Sequence, residues 1–159
     1  MLFVGFLPPR DPRILSTVDR IERELGDGCF LRRCLAEETP DGLSAREGAF
    51  TILTFWLISA LLFAGQTDRA GECFEKILSY ASSLGLFSEM IDASTGELLA
   101  NYPQAFSHIG LIHAARNLTL VDRHGWLPPH QVIPGHGAVV PGMGLPESSP
   151  GHNDNQAAD

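Results

Sequence analysis

Carboxylates are the side chains of this sequence best suited to chemistry, and Glu89 has the most useful setting. It lies between Ser88 and Met90, with Leu86, Phe87 and Ile91 close by. An ionised carboxylate beside a water can act as a general base; in the same place it can equally be a solvated loop carboxylate. Glu47 precedes an apolar run and suits a helix N-terminus, where the dipole favours negative charge. Tyr102, before Pro103, can form the wall of a pocket, whereas Trp56, in the middle of an apolar run, reads as core. Metal chemistry is not expected. His108 and His113 are five residues apart, off the i, i+4 spacing that puts two ligands on one helix face, and His130, His136 and His152 are widely spread. Cys29-x4-Cys34 has no second Cys pair to complete a zinc site. Ser107-His108 is no hydrolase elbow either, because a nucleophilic Ser needs a separate His and acid around it. No cofactor is expected.

Four helices are needed to carry these residues. Asp11-Pro12 starts the first, with Asp as N-cap and Pro at the first helical position. Ile14, Val18, Ile21 and Leu25 then share a face until Gly26. Residues 29–47 read as irregular or weakly extended, with a turn at Pro40-Asp41-Gly42. A second helix over 48–64 is apolar all round, so it should be enclosed by protein. A third, over 68–84, carries Ala70, Phe74, Ile77, Leu78, Ala81 and Leu84 inward, making a hairpin with the second. Residues 86–103 read as a long loop with a turn at Asp92–Gly96, of the kind that is usually functional. A fourth helix over 104–118 should bury Phe106, Ile109, Leu111, Ile112 and Ala115. No strand pattern longer than about four residues appears, so the fold class is all-α, built of helical hairpins.

Composition narrows the rest. The chain has 159 residues, 44% hydrophobic and 19% charged, which fits one globular domain. A net charge of −8 with scattered basic residues argues against nucleic acid as a partner. The uncharged run 49–64 is shorter than the roughly 17–25 residues of a spanning helix, so no membrane partner is expected. The apolar start Met1–Leu7 lacks a basic flank and is not read as a signal peptide. Three Cys is an odd number, which argues against a disulfide framework and for a cytoplasmic location. The folded portion spans 1–125. From 126 to 159 there is no Lys or Arg and much Gly and Pro, the composition of a disordered tail.

Three segments carry a family resemblance. They are Gly5-Phe6-Leu7-Pro8 with Asp11-Pro12-Arg13-Ile14; Glu47-Gly48-Ala49-Phe50 with Phe55-Trp56-Leu57; and Leu86-Phe87-Ser88-Glu89, Ile91-Asp92, Thr95-Gly96-Glu97 with Asn101-Tyr102-Pro103-Gln104-Ala105-Phe106-Ser107-His108. Their order and spacing over about 5–120 resemble the C-terminal part of glycoside hydrolase family 15, the glucoamylase and trehalase-like enzymes. The resemblance implies part of an α/α toroid of six helical hairpins around an axial pocket. It implies inverting hydrolysis of α-glucosidic bonds by two carboxyls roughly 6.5–9.5 Å apart, with a water between them. Glu89 matches the family's general base, and Met90 stands where many relatives have a second Glu. Glu47 falls near the pocket mouth, where a sugar-hydroxyl contact rivals helix capping. Tyr102 joins it as a substrate-binding candidate.

The family's general acid lies upstream of the Gly5–Pro8 segment. The chain is therefore expected to be a truncated piece that carries the base region without the acid and is inactive alone. A closed ring of about twelve helices needs roughly 300 residues or more, which points the same way. An α-glucoside oligosaccharide or trehalose is the implied substrate. The alternative is a non-catalytic helical-repeat interaction module or remnant.

Overall fold

The computed structural model describes residues 6–35 and 48–125. Asp11 caps α1 (Pro12–Leu25) by accepting the Arg13 N–H at 2.9 Å. Ile14 and Val18 of its apolar stripe are buried and Leu25 packs against the core, but Ile21 is exposed. A short hairpin follows: β1 (Gly26–Asp27) pairs antiparallel with β2 (Phe30–Leu31). The left-handed Gly28 in the turn between them has φ 63°. This hairpin puts Cys29 beside the third helix, where it forms a disulfide with Cys73, the Cα atoms 5.1 Å apart. The odd cysteine count argued against a disulfide framework, and that expectation is corrected by this bond. The partners lie 44 residues apart and meet only through tertiary packing, which spacing does not reveal.

The core is built on α2 (Thr51–Ala64), which packs against each of the other three helices. Its Phe55, Ile58 and Leu61 are wholly buried. Burial of each such side chain is worth about 1.5–3 kcal/mol. Trp56, expected in the core, is instead 43% exposed. The helix begins at Thr51, not at 48, because Ala49–Phe50 form a strand, β3, paired with β4 (Met90–Ile91). Gly48 permits that approach: a Cβ there would sit 2.7 Å from the Ile91 carbonyl oxygen.

Gly65, at φ 82°, ends α2, and α3 (Thr67–Leu78) follows at once, completing the expected hairpin of buried and amphipathic helices. Arg69 of α3 pairs with Glu22 of α1, an ion pair on the surface that adds little by itself. α3 stops before the expected residue 84. The Ser82 hydroxyl accepts the backbone N–H groups of Leu84 and Leu86, a local alternative to helix, and Leu84 ends up 79% exposed.

The expected long loop contains a strand pair. β4 runs antiparallel to β5 (Leu98–Leu99), giving a three-stranded sheet in the order β3-β4-β5. The turn is where the sequence put it: Asp92 Oδ1 accepts the N–H groups of Ser94 and Thr95, and Gly96 takes φ 78°. The fold is mostly helical with these two small sheets. The last helix, α4 (Ala105–His124), runs past the expected end at 118 and closes at left-handed Gly125. Its buried face is not the expected one. Ser107, Gly110, Ala114, Asn117 and Val121 face inward, while Phe106, Ile109 and Ile112 are exposed at 65%, 47% and 63%. Small residues win the inner face because α4 lies close on α2: a Cβ at Gly110 would be 3.1 Å from Phe55 Cβ. The tail over 126–159 and the Pro40-Asp41-Gly42 turn lie outside the described residues.

Candidate active site

Glu89 occupies the residue before β4, at the junction of the sheet with α2 and α4. Its backbone is held from two sides. The Glu89 N–H donates to the Asn101 carbonyl at 2.9 Å, and the Glu89 carbonyl accepts the Thr51 N–H, at the start of α2, at 3.0 Å. Its side chain is half-buried, and Oε2 accepts the Asn101 amide Nδ2 at 2.8 Å. One oxygen is thus fixed, and the other, Oε1, takes no hydrogen bond or ion pair among the described residues, which suits it to take a proton from a water.

The two residues before Glu89 are secured from α4. The Phe87 N–H donates to His108 Nε2 at 3.3 Å, and the Phe87 carbonyl accepts the Gln104 N–H at 2.9 Å. The Ser88 carbonyl accepts the Ser107 hydroxyl at 2.8 Å, in a buried setting. His108 Nδ1 lies 2.7 Å from the Gln104 carbonyl oxygen. The tautomer with its proton on Nδ1 satisfies both contacts. Gln104, Ser107 and His108 fall at i, i+3 and i+4, so one face of the first turn of α4 holds the strand that presents Glu89. Phe87 anchors it below, packed edge-on against Phe55 at 5.5 Å between ring centroids. His108 thus serves to hold backbone, at Phe87 and Gln104.

Asn101 follows Ala100, a non-glycine residue at φ 60°, in the left-handed region, and precedes a cis peptide bond between Tyr102 and Pro103. Sparsely populated backbone of the Ala100 kind persists only where its surroundings fix it. Tyr102 comes next to this clamp and is 46% exposed, on the outside of the loop. Glu97, the rival carboxylate, is exposed beyond the Asp92 turn. Glu47 lies outside the described residues. Among the described residues no group of three or more His, Cys, Asp or Glu is placed to hold a metal ion.

The site residues that sequence reasoning missed are Asn101, Gln104 and Ser107. Their signal was the i, i+3, i+4 spacing of Gln104, Ser107 and His108. The reach of Asn101 across the hairpin depends on strand register and has no such periodic mark.

A family model described as "Glycosyl hydrolases family 15" matches residues 3–116. The "Trehalase" of Mycolicibacterium smegmatis is 50% identical over 109 residues, 69% of this chain and 16% of that protein. The "Trehalase" of Mycobacterium tuberculosis is 49% identical over 114 residues, 72% of this chain and 17% of that protein. That of Thermoplasma volcanium is 43% identical over 115 residues, 72% of this chain and 18% of that protein. The chain thus spans under a fifth of the length of these curated relatives. No solved structure matches it.

Proposed function

The chain belongs to glycosyl hydrolases family 15, and from that premise we propose that it is the base-bearing, C-terminal portion of an inverting trehalose hydrolase. Glu89 takes the proton of the attacking water through Oε1. The water adds to the anomeric carbon as the bond to the leaving glucosyl oxygen breaks, and a general acid protonates that oxygen. The acid belongs to sequence upstream of this portion, so the chain by itself does not turn over. Tyr102, as part of the pocket wall, and Glu47, at the pocket mouth, contact sugar in the full toroid. Trehalose is the substrate of this reading because three relatives carry that activity in their names. The observation that carries the reading is the Glu89 carboxylate, with one oxygen fixed by Asn101 and the other taking no hydrogen bond or ion pair among the described residues.

Among the described residues no helix is long and apolar enough to cross a membrane. The cytoplasmic placement expected from the cysteine count is part of the same proposal, and the disulfide now stands against it. The Cys29–Cys73 bond argues for an oxidising compartment, and alkylation of the protein from a cytosolic extract without reductant decides: a persisting bond sinks the cytoplasmic placement.

The function is tested in a chimera in which this chain replaces the matching stretch of the M. smegmatis trehalase. The chimera should hydrolyse trehalose and release one β-glucose and one α-glucose per turnover, read by proton NMR before mutarotation. Release of α-glucose alone would contradict inversion, and preference for maltooligosaccharides over trehalose would contradict the substrate.

A further inference from the structure

We propose that Asn101 is the positioning residue of the base, fixing which oxygen of Glu89 receives the proton. This rests on the reading of Glu89 as the base. Asn101 grips Glu89 at two points on opposite sides of its Cα: the Asn101 carbonyl accepts the Glu89 N–H at 2.9 Å, and the Asn101 amide donates to Oε2 at 2.8 Å. The two contacts together fix both where the backbone sits and how the carboxylate is rotated. A carboxylate held only by its backbone would sample several rotamers, and only some of them place an oxygen beside the water. An amide NH₂ suits the task because it donates without bringing a charge, so it orients the carboxylate without neutralising it as an Arg would.

The loop is shaped for this grip. Ala100 in the left-handed region turns the chain after β5, so that Asn101 faces back across the hairpin to Glu89. On the other side, Gln104 and Ser107 fix the strand through Phe87 and Ser88. No proton passes through Asn101. It holds Oε2, and the O–H bond of the water breaks toward Oε1 as the new C–O bond forms.

The test uses the chimera with the M. smegmatis trehalase. Asn101→Ala should lower kcat by about 10- to 100-fold with KM changed less than about twofold, the signature of lost orientation rather than lost binding. In a Glu89→Gln background the same substitution should cost less than about twofold, because no base remains to be oriented. Asn101→Leu, which keeps about the volume and the backbone grip without the amide, carries the same measurement if the Ala variant melts early. An unchanged kcat, a loss confined to KM, or an equal loss in the Glu89→Gln background overturns the proposal. If Glu89→Gln alone keeps wild-type kcat, the base reading falls, and the positioning role with it. A second readout needs no turnover. In the 159-residue chain, Glu89→Gln should shift the Asn101 side-chain amide resonances in the ¹⁵N–¹H spectrum, and unmoved resonances overturn the contact.

Discussion

Asn101 holds the Glu89 carboxylate, and Ser107 holds the carbonyl of the residue before it. A Glu between Ser88 and Met90 is visible by type, and the family pattern supplied its role. The hydrogen bonds to Asn101, and from Ser107 to the Ser88 carbonyl, exist only once strand register and a helix face are set. These contacts give two predictions at the scale of single residues. Ser107→Ala leaves a buried carbonyl without its donor and should cost about 1–3 kcal/mol by denaturant unfolding. A cost near zero would mean that Ser88 is not held from α4. Thr51 is the converse case: its hydroxyl is buried without a hydrogen-bond partner among the described residues. Thr51→Val removes that unsatisfied group at nearly the same volume. It should leave stability unchanged or raise it by up to about 1 kcal/mol. A clear loss would reveal a partner for the hydroxyl.

Among the elements, the sequence located all four helices but misjudged one face. α4 is apolar nearly all round, with Phe106, Ile109, Leu111, Ile112, Leu118 and Val121 spread over it, so periodicity did not choose a side. Close approach to Phe55 chose it, favouring Gly110 and Ala114 over the large residues. The first helix gives a prediction in pH. Arg13, through its side chain and its backbone N–H, holds the Asp11 carboxyl down at about 2 against an ordinary 3.8. A depressed carboxylate contributes its stability above its ordinary value and loses it as pH falls through the folded value. Amide exchange at Arg13–Leu15, corrected for intrinsic rate, should therefore stay protected at pH 5 and open between about pH 4 and 2. Asp11→Ala should fray the same amides at pH 7 and leave α2 protected; no effect at either pH would remove Asp11 as the cap. The Cys29–Cys73 bond joins β1–β2 to α3. Closing a 44-residue separation, it should contribute about 2–4 kcal/mol, lost on reduction or in Cys29→Ser. Equal denaturation midpoints with and without reductant would show that the bond does not form.

On the scale of the molecule, a helical fold of hairpins was legible because α2 is apolar throughout and its neighbour is amphipathic. The two small sheets were not, since strands of two residues carry no alternation to read. Sequence alone also suggested that the helix over 48–64 would be enclosed by protein. The structure encloses most of it, and among the described residues α4 leaves Phe106, Ile109 and Ile112 exposed. The chain alone should therefore unfold cooperatively yet self-associate, with Ile109→Lys/Ile112→Glu shifting it toward monomer in light scattering. A monodisperse wild-type monomer would contradict this. The central claim is that Glu89 is the base, and the turnover number on trehalose tests it most directly. In the chimera, Glu89→Gln should lower kcat by about 10²–10⁴-fold with the fold intact, while Glu97→Gln, on the exposed side of the turn, should change it by less than about threefold. Equal losses, or a larger one at Glu97, would contradict the assignment.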